Sequence, residues 1–471
     1  MTDGLPQVTD ESDAAAPTGG AALDMRQPRG SIAILAVLSA MALVVIDAAM
    51  TNVALPTIAQ SLGLTAAKAV LIVTAYQTAL LTGLLPCAAL GESLGYRRVF
   101  IAGLAVFTAA SAACAQAHSL PWLVAARFVQ GLGGSAVMAL GIALMRFVVS
   151  SRQFSAAIGW NALTVALSSA AGPAIGAGLL TIANWRWLFI VNLPLGALAL
   201  LASRALPQPA AAVRRLDLVS MGLNALAFIS LIVGLQLLPV EPAAAIALLI
   251  VAAAGLAVLV RRELPKASPL IPIDLLRSLP FRRSVLASLC CFSGQTAGMV
   301  ALPFYLQHAF GFSPLMTGIC LTPWPLTVAI VAPVTGRLAD LVPAARLCAA
   351  GAACLAAGLA GVCAWPSRGN LVPLGLLTAL CGLGFGLFNV PNNRNMFLSA
   401  PRERSGAAGG LQGAARLLGQ TAGAVMMTLL FTLTSVDVAP TAGLAIGAVL
   451  ALAAGLVSAL RTGRQAFFPR D

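Results

Sequence analysis

Long apolar runs alternate with short polar segments along almost the whole chain. Each run has about 20 residues, the length that crosses the hydrocarbon core of a bilayer as one helix. A soluble chain has no way to bury so many of these runs, so the pattern predicts an all-α polytopic membrane protein. Fourteen spans are predicted, at residues 31–55, 69–90, 99–117, 121–145, 155–182, 187–205, 216–239, 242–260, 284–307, 314–335, 344–365, 371–391, 406–433 and 441–460.

The longest polar interruption, residues 261–283, separates eight spans from six. Its four prolines prevent one continuous helix, and IPIDLL is predicted to be a short amphipathic piece on the membrane surface. The order favours two six-helix bundles with two inserted helices. The predicted units are a disordered cytoplasmic tail (1–30), an N-terminal bundle (31–205), two inserted helices (206–262), a cytoplasmic linker (263–283), a C-terminal bundle (284–461) and a cytoplasmic tail (462–471).

Composition and charge agree with a membrane protein and indicate its orientation. The chain is 59% hydrophobic and 9% charged, with a mean hydropathy of +0.93. Most of the 28 Lys and Arg lie between spans on one side, which by the positive-inside rule predicts that both termini are cytoplasmic. The net charge of +13 is then explained by orientation, and no aromatic-basic motif indicates nucleic acid.

The cysteines and histidines argue against several other classes of protein. Nine cysteines occur without CxxC spacing, and the two histidines lie far apart. A disulfide scaffold, a metal site and a cofactor are therefore not expected, and a membrane enzyme would need a convergent cluster that the chain lacks. The polar first 30 residues do not have the pattern of a signal peptide.

Asp47 is the most informative residue, because it is an acid inside the first apolar run. A carboxylate near the middle of a membrane helix costs at least about 2.5 kcal/mol on insertion scales, and such groups usually handle ions or protons. Arg127, in span 4, is predicted at the same depth, so the two charges are expected to meet. The alternative is that the Arg127 side chain reaches back to the membrane interface. Four further residues share its helix face, namely Gln130, Gly131, Gly134 and Met138.

Arg416 is a second embedded cation, about eleven residues into span 13. An unpaired charge at that depth is costly, so backbone carbonyls, water or an anionic partner are expected beside it. The sequence does not name that partner.

The loops after spans 2 and 10 carry related motifs, PCAALGESLGYRR (86–98) and PVTGRLADLVPAAR (333–346). Both resemble the loop signature of the major facilitator superfamily. The resemblance implies a gating role for residues of the two copies, which are Glu92, Gly95 and Arg97 in the first and Gly336, Arg337 and Asp340 in the second.

The fifth span contains SSAAGPAIGAGL, whose Gly172, Pro173, Gly176 and Gly178 suit close helix contact and a kink. Plain membrane packing also explains this cluster. It resembles the antiporter motif of the superfamily, and NWRWLFIVNLPLG (184–196) and IDAAMTNVALP (46–56) are similar to segments of fourteen-span drug:proton antiporters. RFVQGLGG of span 4 resembles a motif whose arginine is tied to proton coupling.

The family resemblance implies proton-coupled efflux of lipophilic drugs across the inner (plasma) membrane by alternating access. It assigns proton coupling to Asp47 and Arg127, with Glu92 acting through the gating loop. The proton gradient supplies the energy, no cofactor is needed, and a monomer is expected to function. Two alternatives stay open, an exporter of an endogenous metabolite and a proton-coupled importer.

Few acids other than Asp47 are expected to reach a central cavity. A single acid among apolar walls and scattered aromatic rings suits lipophilic organic cations. Each aromatic residue taken alone is more often packed or lipid-facing. The predicted cavity residues are Asp47, Tyr76, Gln77, Gln130, Trp160, Asn161, Gln295, Met299, Tyr305 and Phe388.

Overall fold

The structure, a computed structural model, describes residues 28–149, 151–208, 216–265, 273–365, 371–400 and 405–460. Residues 1–27 and 462–471 of the predicted tails and residues 266–272 of the predicted linker lie outside these ranges. All regular structure within them is helical. The helices are α1 (Pro28–Ser61), α2 (Ala66–Leu94), α3 (Tyr96–Ala115), α4 (Leu120–Val148), α5 (Ser151–Ile182), α6 (Trp187–Ile190), α7 (Asn192–Ala202), α8 (Leu218–Leu237), α9 (Pro242–Glu263), α10 (Leu279–Phe304), α11 (Pro314–Leu321), α12 (Pro323–Leu338), α13 (Ala344–Cys363), α14 (Val372–Leu398), α15 (Ser405–Leu433) and α16 (Ala439–Ala459).

Within the described residues, 14 helical segments are long and apolar enough to cross a membrane. Helices α6 and α7 together make one of these segments, and α11 and α12 make another. Helix α10 continues through a π-helical turn at Tyr305–Ala309. The predicted number of spans and the all-α class are therefore confirmed.

Two predicted span ends are wrong because proline lies inside the helix. Pro56 is within α1, which continues to Ser61, and Pro391 is within α14, which continues to Leu398. Neighbouring helices and side chains in a membrane protein can satisfy the backbone groups that a proline frees. Asp47 therefore lies more than three turns before the end of α1, deeper than the predicted span end implied.

The packing separates an N-terminal half (α1–α7) from a C-terminal half (α10–α16). In the first half, α4 packs against α1, α2 and α3, and in the second α14 packs against α10, α12 and α13. Helices α8 and α9 pack mainly on each other. Asn224 of α8 donates a hydrogen bond to the backbone oxygen of Thr82 in α2, which attaches this pair to the N-terminal half.

The two halves meet through α1 with α10 and α11, α5 with α11 and α12, and α2 with α15. We call the end of the molecule where α1 begins the tail side, and the opposite end the far side. On the far side, Gln307 Nε2 lies 3.3 Å from the Val53 oxygen that accepts its hydrogen bond. One apolar cluster there includes Val53 and Ile58 from the first half with Phe304 and Leu321 from the second. The far side is thus closed by packing between the halves.

Two apolar clusters lie toward the tail side. Leu104 and Leu144 belong to a cluster of the N-terminal half that also takes in Leu417 and Val425 of α15, while Phe281 and Met396 belong to a separate cluster at the end of the C-terminal half. Leu275, in the short 3-10 helix Ile273–Arg277, is buried in this second cluster. Leu275 of the predicted amphipathic piece IPIDLL therefore packs on the C-terminal half and not on the membrane surface alone, whereas Ile271 and Pro272 lie outside the described residues.

Candidate functional site

Asp47 of α1 and Arg127 of α4 form an ion pair inside the N-terminal half. Arg127 Nη1 lies 2.5 Å from Asp47 Oδ2, and each residue is 1% exposed. Because the Arg127 guanidinium is buried against Asp47, the side chain does not reach back to the membrane interface, and the alternative considered for it is wrong. Because α1 and α4 run past each other, two residues 80 positions apart meet at one depth.

Amide side chains complete the environment of the carboxylate. Gln130, one turn after Arg127, donates to Asp47 Oδ1 at 3.0 Å and accepts from Arg127 Nη1 at 2.7 Å. Asn192, the first residue of α7, donates to Asp47 Oδ1 at 2.7 Å. Ser111 of α3 accepts from Gln130 at 2.8 Å and donates to the Phe107 backbone oxygen. Asp47, Ser111, Arg127, Gln130 and Asn192, all buried, are called the Asp47 network.

Aromatic rings cover the guanidinium of Arg127. Its Cζ lies 4.1 Å from the ring centroid of Tyr76 and 5.6 Å from that of Phe189. Tyr76 is fixed by donating to the backbone oxygen of Val44 at 3.3 Å. Close approach of α2 depends on Gly131, where a Cβ would lie 2.5 Å from the Tyr76 backbone oxygen. Cation-π contact and ion pairing together compensate a buried positive charge.

The arrangement is suited to respond to a single proton. The three donors Arg127, Gln130 and Asn192 all require lone pairs, which the ionised carboxylate of Asp47 supplies. A protonated carboxyl would leave Arg127 buried without its counter-charge, a state that costs several kcal/mol unless neighbours move. Protonation is therefore linked to the relative positions of α1, α4 and α7.

Asp47 does not face the interface between the halves, contrary to the prediction that it lines the central cavity. Among the described residues, all hydrogen-bond partners of its carboxylate belong to the N-terminal half. Ala49 and Met50, on other faces of α1, pack against Gly172 and Gly176 of α5. Tyr76 and Gln130 are likewise 1% and 0% exposed within or against the Asp47 network. These three residues form an internal site and not a cavity wall.

Trp160 also differs from its predicted place in the cavity. It is 55% exposed and shares one helical face with the exposed residues Leu163, Leu167 and Ile175 of α5. Exposed apolar residues at this spacing form the lipid-facing stripe of a membrane helix. Its neighbour Asn161 is 8% exposed, and its buried Oδ1 has no partner among the described residues.

The remaining predicted cavity residues divide into two groups. Gln77 of α2 and Gln295 of α10 are half-buried, and the buried Oε1 of each lacks a partner within the described chain. Met299 is half-buried as well. Tyr305 packs edge-to-face on Phe310 at 5.0 Å, and Phe388 is fully buried, so neither offers a free surface to a ligand.

The two loop motifs hold the tail side of each half. Gly95 separates α2 from α3 with φ of 98°, a conformation that favours glycine. Arg97 donates to the backbone oxygen of Arg204 near the end of α7 at 2.9 Å, and Glu92 is half-buried. In the second copy, Asp340 pairs with Arg394 at 2.7 Å, while Arg337 is exposed and Gly336 has open space beside it.

The glycines of the fifth span have different surroundings. Cβ atoms at Gly172 and Gly176 would collide with or crowd Ala49 and Met50 of α1. Gly178 has no atom within 4 Å of its Cβ position. Pro173 lies inside α5, and its oxygen would be 2.8 Å from a Cβ at Gly318 of α11. Gly172, Pro173 and Gly176 thus lie where α5 closely approaches a neighbouring helix, whereas Gly178 faces open space.

Sequence reasoning missed two members of the Asp47 network, Ser111 and Asn192. Asn192 stands in the motif NWRWLFIVNLPLG, and a lone amide in that apolar run was the available signal. Its position follows from the break between α6 and α7, which starts a new helix at Asn192. Ser111 offers no comparable signal, because serine is common in membrane helices that pack closely.

Comparison with known proteins identifies the family of this fold. A family model described as Major Facilitator Superfamily matches residues 37–424, which include the whole Asp47 network. The chain belongs to the Major Facilitator Superfamily. It is a transporter and not an enzyme, and transporters of this superfamily generally need no cofactor.

Three relatives show the range of transporters that this member resembles. It is 43% identical to YebQ of Escherichia coli K12, described as an uncharacterised transporter, over 91% of this chain and 95% of that protein. It is 27% identical to the riboflavin transporter RibZ of Clostridioides difficile over 82% of this chain and 85% of that protein. It is 30% identical to the tetracenomycin C resistance and export protein of Streptomyces glaucescens, over 86% and 77%.

Proposed function

We propose that this superfamily member is a proton-coupled exporter of lipophilic organic compounds, with Asp47 as the proton-carrying residue. The observation that carries the proposal is the buried Asp47–Arg127 ion pair, whose two charges lie on different helices and are 1% exposed. A charge pair that one proton can break links protonation to helix movement.

Helix α1 connects the Asp47 network with the interface between the halves. Met50, one turn after Asp47, packs against Gly176 of α5, and the Val53 oxygen accepts a hydrogen bond from Gln307 of the C-terminal half. A shift of α1 that follows protonation of Asp47 therefore reaches the contacts that close the far side. This coupling supports alternating access by rocking of the two halves around a central site.

The proposed setting is the inner (plasma) membrane, with the tail side in the cytoplasm. The excess of Lys and Arg in the tail-side segments supports this orientation. The proposed units are the two six-span halves and the inserted pair α8–α9. One chain contains both halves, which supports function as a monomer.

The preference for cationic substrates that the sequence suggested is not part of this proposal. It depended on Asp47 as an acid in the cavity wall, and that carboxylate is enclosed by Arg127, Gln130 and Asn192. Export of a metabolite is the second candidate, favoured by the likeness to a riboflavin transporter. Import is less favoured because Gly172, Pro173 and Gly176 match the antiporter motif and pack as close contacts.

The proposal is tested with purified protein in proteoliposomes under an imposed pH gradient. Three dyes serve as probes, one with a permanent negative charge, one uncharged and one with a permanent positive charge. None of them is a weak base, so the pH gradient alone does not concentrate them. We expect accumulation of at least one dye that stops when a protonophore collapses the gradient. Dye accumulation that continues without the pH gradient would contradict proton coupling. Dye movement only down its own concentration gradient would favour a facilitator.

A further inference from the structure

Arg416 is an embedded charge that the Asp47 network does not use. It lies near the middle of α15 and is half-buried. Its position, eleven residues from the start of α15, is about 16 Å from that end at 1.5 Å per residue. This is beyond the reach of an arginine side chain toward the membrane interface.

None of the described residues forms an ion pair with Arg416. Helices α10–α16 contain no Asp or Glu at all, so the C-terminal half has no embedded carboxylate to offer. Across the interface, the embedded carboxylate of Asp47 is already paired with Arg127. Keeping an unpaired guanidinium at this depth costs about 2.5–3.5 kcal/mol even on insertion scales.

Polar side chains of α14 and α15 lie together around Arg416. Gln412 donates to Asn393 Oδ1 at 3.1 Å, which ties the two helices together. One turn deeper, Asn389 and Arg416 occupy the next positions on the same two helix faces. Asn389 accepts from Asn393 at 3.0 Å, and all four residues are half-buried. We call Asn389, Asn393, Gln412 and Arg416 the polar cluster.

Aromatic rings lie one further turn into the membrane. Gly419 follows Arg416 by one turn, and a Cβ there would be 2.9 Å from Phe292 Cβ of α10. Phe385 precedes Asn389 by one turn on α14 and meets Phe292 edge-to-face, with centroids 5.3 Å apart. Phe292 and Phe385 are 3% and 6% exposed, so this pair of rings is packed core beyond the polar cluster.

Helix α15, which carries two residues of the polar cluster, contacts α2 of the N-terminal half. Gly410 and Gly413 of α15 lie against Leu85 and Leu84. Gln77 is two turns from Leu84 on the same face of α2, with its buried Oε1 unpaired in the described part of the chain. The cation thus lies in the C-terminal half but close to the interface where a transported molecule would pass.

We infer that Arg416, with the amides of the polar cluster beside it, binds the negatively charged group of an organic anion. This inference names the substrate class and so rests on the proposed export function. A carboxylate or sulfonate matches the planar donor fork of arginine. The anion would supply the counter-charge that the C-terminal half lacks. Substrate and proton then occupy different halves, Arg416 in one and Asp47 in the other.

The test uses three fluorescent probes with one ring system, anthracene-9-carboxylate, anthracene-9-methylammonium and anthracene-9-methanol. Binding to the purified full-length protein in detergent is measured by fluorescence titration. The carboxylate is expected to bind at least about tenfold more tightly than the ammonium, which corresponds to about 1.4 kcal/mol. Equal affinities, or no saturable binding of the carboxylate, would overturn the inference.

Variants assign the effect to Arg416. Arg416→Gln is expected to weaken carboxylate binding about tenfold or more and leave the neutral alcohol unchanged. Arg416→Lys, which keeps the charge but loses the planar fork, is expected to lie between. Arg262→Gln, at an exposed arginine of α9, is the matched control and should bind like the wild type. Unchanged carboxylate affinity in Arg416→Gln would contradict the assignment, and if that variant fails to fold, unchanged affinity in Arg416→Lys would do so.

This binding test is independent of transport. A protein that binds the carboxylate through Arg416 but ignores a pH gradient in proteoliposomes would refute proton coupling and leave the anion site standing. A protein that accumulates cationic dye under a pH gradient but binds the three probes equally would support proton coupling and overturn the anion site.

Discussion

At the scale of single residues, the described helices contain three charges that lie seven or more residues from either helix end, Asp47, Arg127 and Arg416. The first two compensate each other at 2.5 Å. Buried ion pairs contribute little to stability compared with apolar residues of equal size, yet removing one partner is strongly destabilising. The pair is therefore better explained by a function that separates its charges than by stability.

Arg127→Gln is expected to destabilise the protein by about 3–5 kcal/mol, because it leaves the Asp47 carboxylate buried without a counter-charge. Asp47→Asn/Arg127→Gln removes both charges and is expected to recover most of that loss. The measurement is thermal unfolding of the purified variants in detergent. If the loss of stability in the double variant equals the sum of the losses in Asp47→Asn and Arg127→Gln, the two charges do not interact.

Arg262→Gln provides the control for this series. Arg262 pairs with Asp217 at 3.5 Å on the surface, with 43% and 34% of the side chains exposed. Exposed pairs contribute about 0–1 kcal/mol, so its unfolding midpoint should stay close to that of the wild type.

At the scale of helices, close contact between α1 and α5 depends on particular glycines. Gly172→Ala is expected to destabilise the protein by about 1–3 kcal/mol, since the new methyl group would collide with Ala49 of α1. Gly178→Ala places the same methyl group in open space and is expected to be neutral or to stabilise α5 by up to about 1 kcal/mol.

Unfolding midpoints of these two variants separate packing from motif membership. Equal losses of stability in Gly172→Ala and Gly178→Ala would mean that the motif does not act through the contact of Gly172 with α1. A loss confined to Gly172→Ala supports the contact between α1 and α5.

The sequence predicted helices well where the signal is local and poorly where it depends on neighbours. Apolar runs gave all fourteen spans, but Pro56 and Pro391 led to ends that were too early. Trp160 was placed in a cavity because residue type does not show which face of α5 meets α1. The Asp47–Arg127 contact was predicted because the two opposite charges lie at the same depth in spans 1 and 4. Asn192 was missed because only the α6–α7 break brings it to Asp47.

At the scale of the whole molecule, the far side is closed and the polar cluster lies toward the tail side. The orientation of the protein in the membrane decides whether the tail side faces the cytoplasm. Gln60 lies exposed on the far side and Leu94 is 49% exposed on the tail side. In a background without the native cysteines, these positions report the orientation.

We expect a membrane-impermeant maleimide to label Gln60→Cys in intact cells and to label Leu94→Cys only after the membrane is permeabilised. This result follows from the excess of Lys and Arg on the tail side. Labelling of Leu94→Cys in intact cells would place the tail side outside and reverse the proposed direction of transport.

The central claim is that Asp47 carries the proton that drives transport. The most direct measurement compares Asp47→Asn with Asp437→Asn in proteoliposomes, because both replace one aspartate by asparagine and Asp437 is an exposed residue between α15 and α16. Dye accumulation driven by a pH gradient and dye exchange at equal pH are both recorded. The account predicts that Asp47→Asn loses accumulation and retains exchange, while Asp437→Asn retains accumulation. Accumulation by Asp47→Asn at the wild-type rate would contradict it.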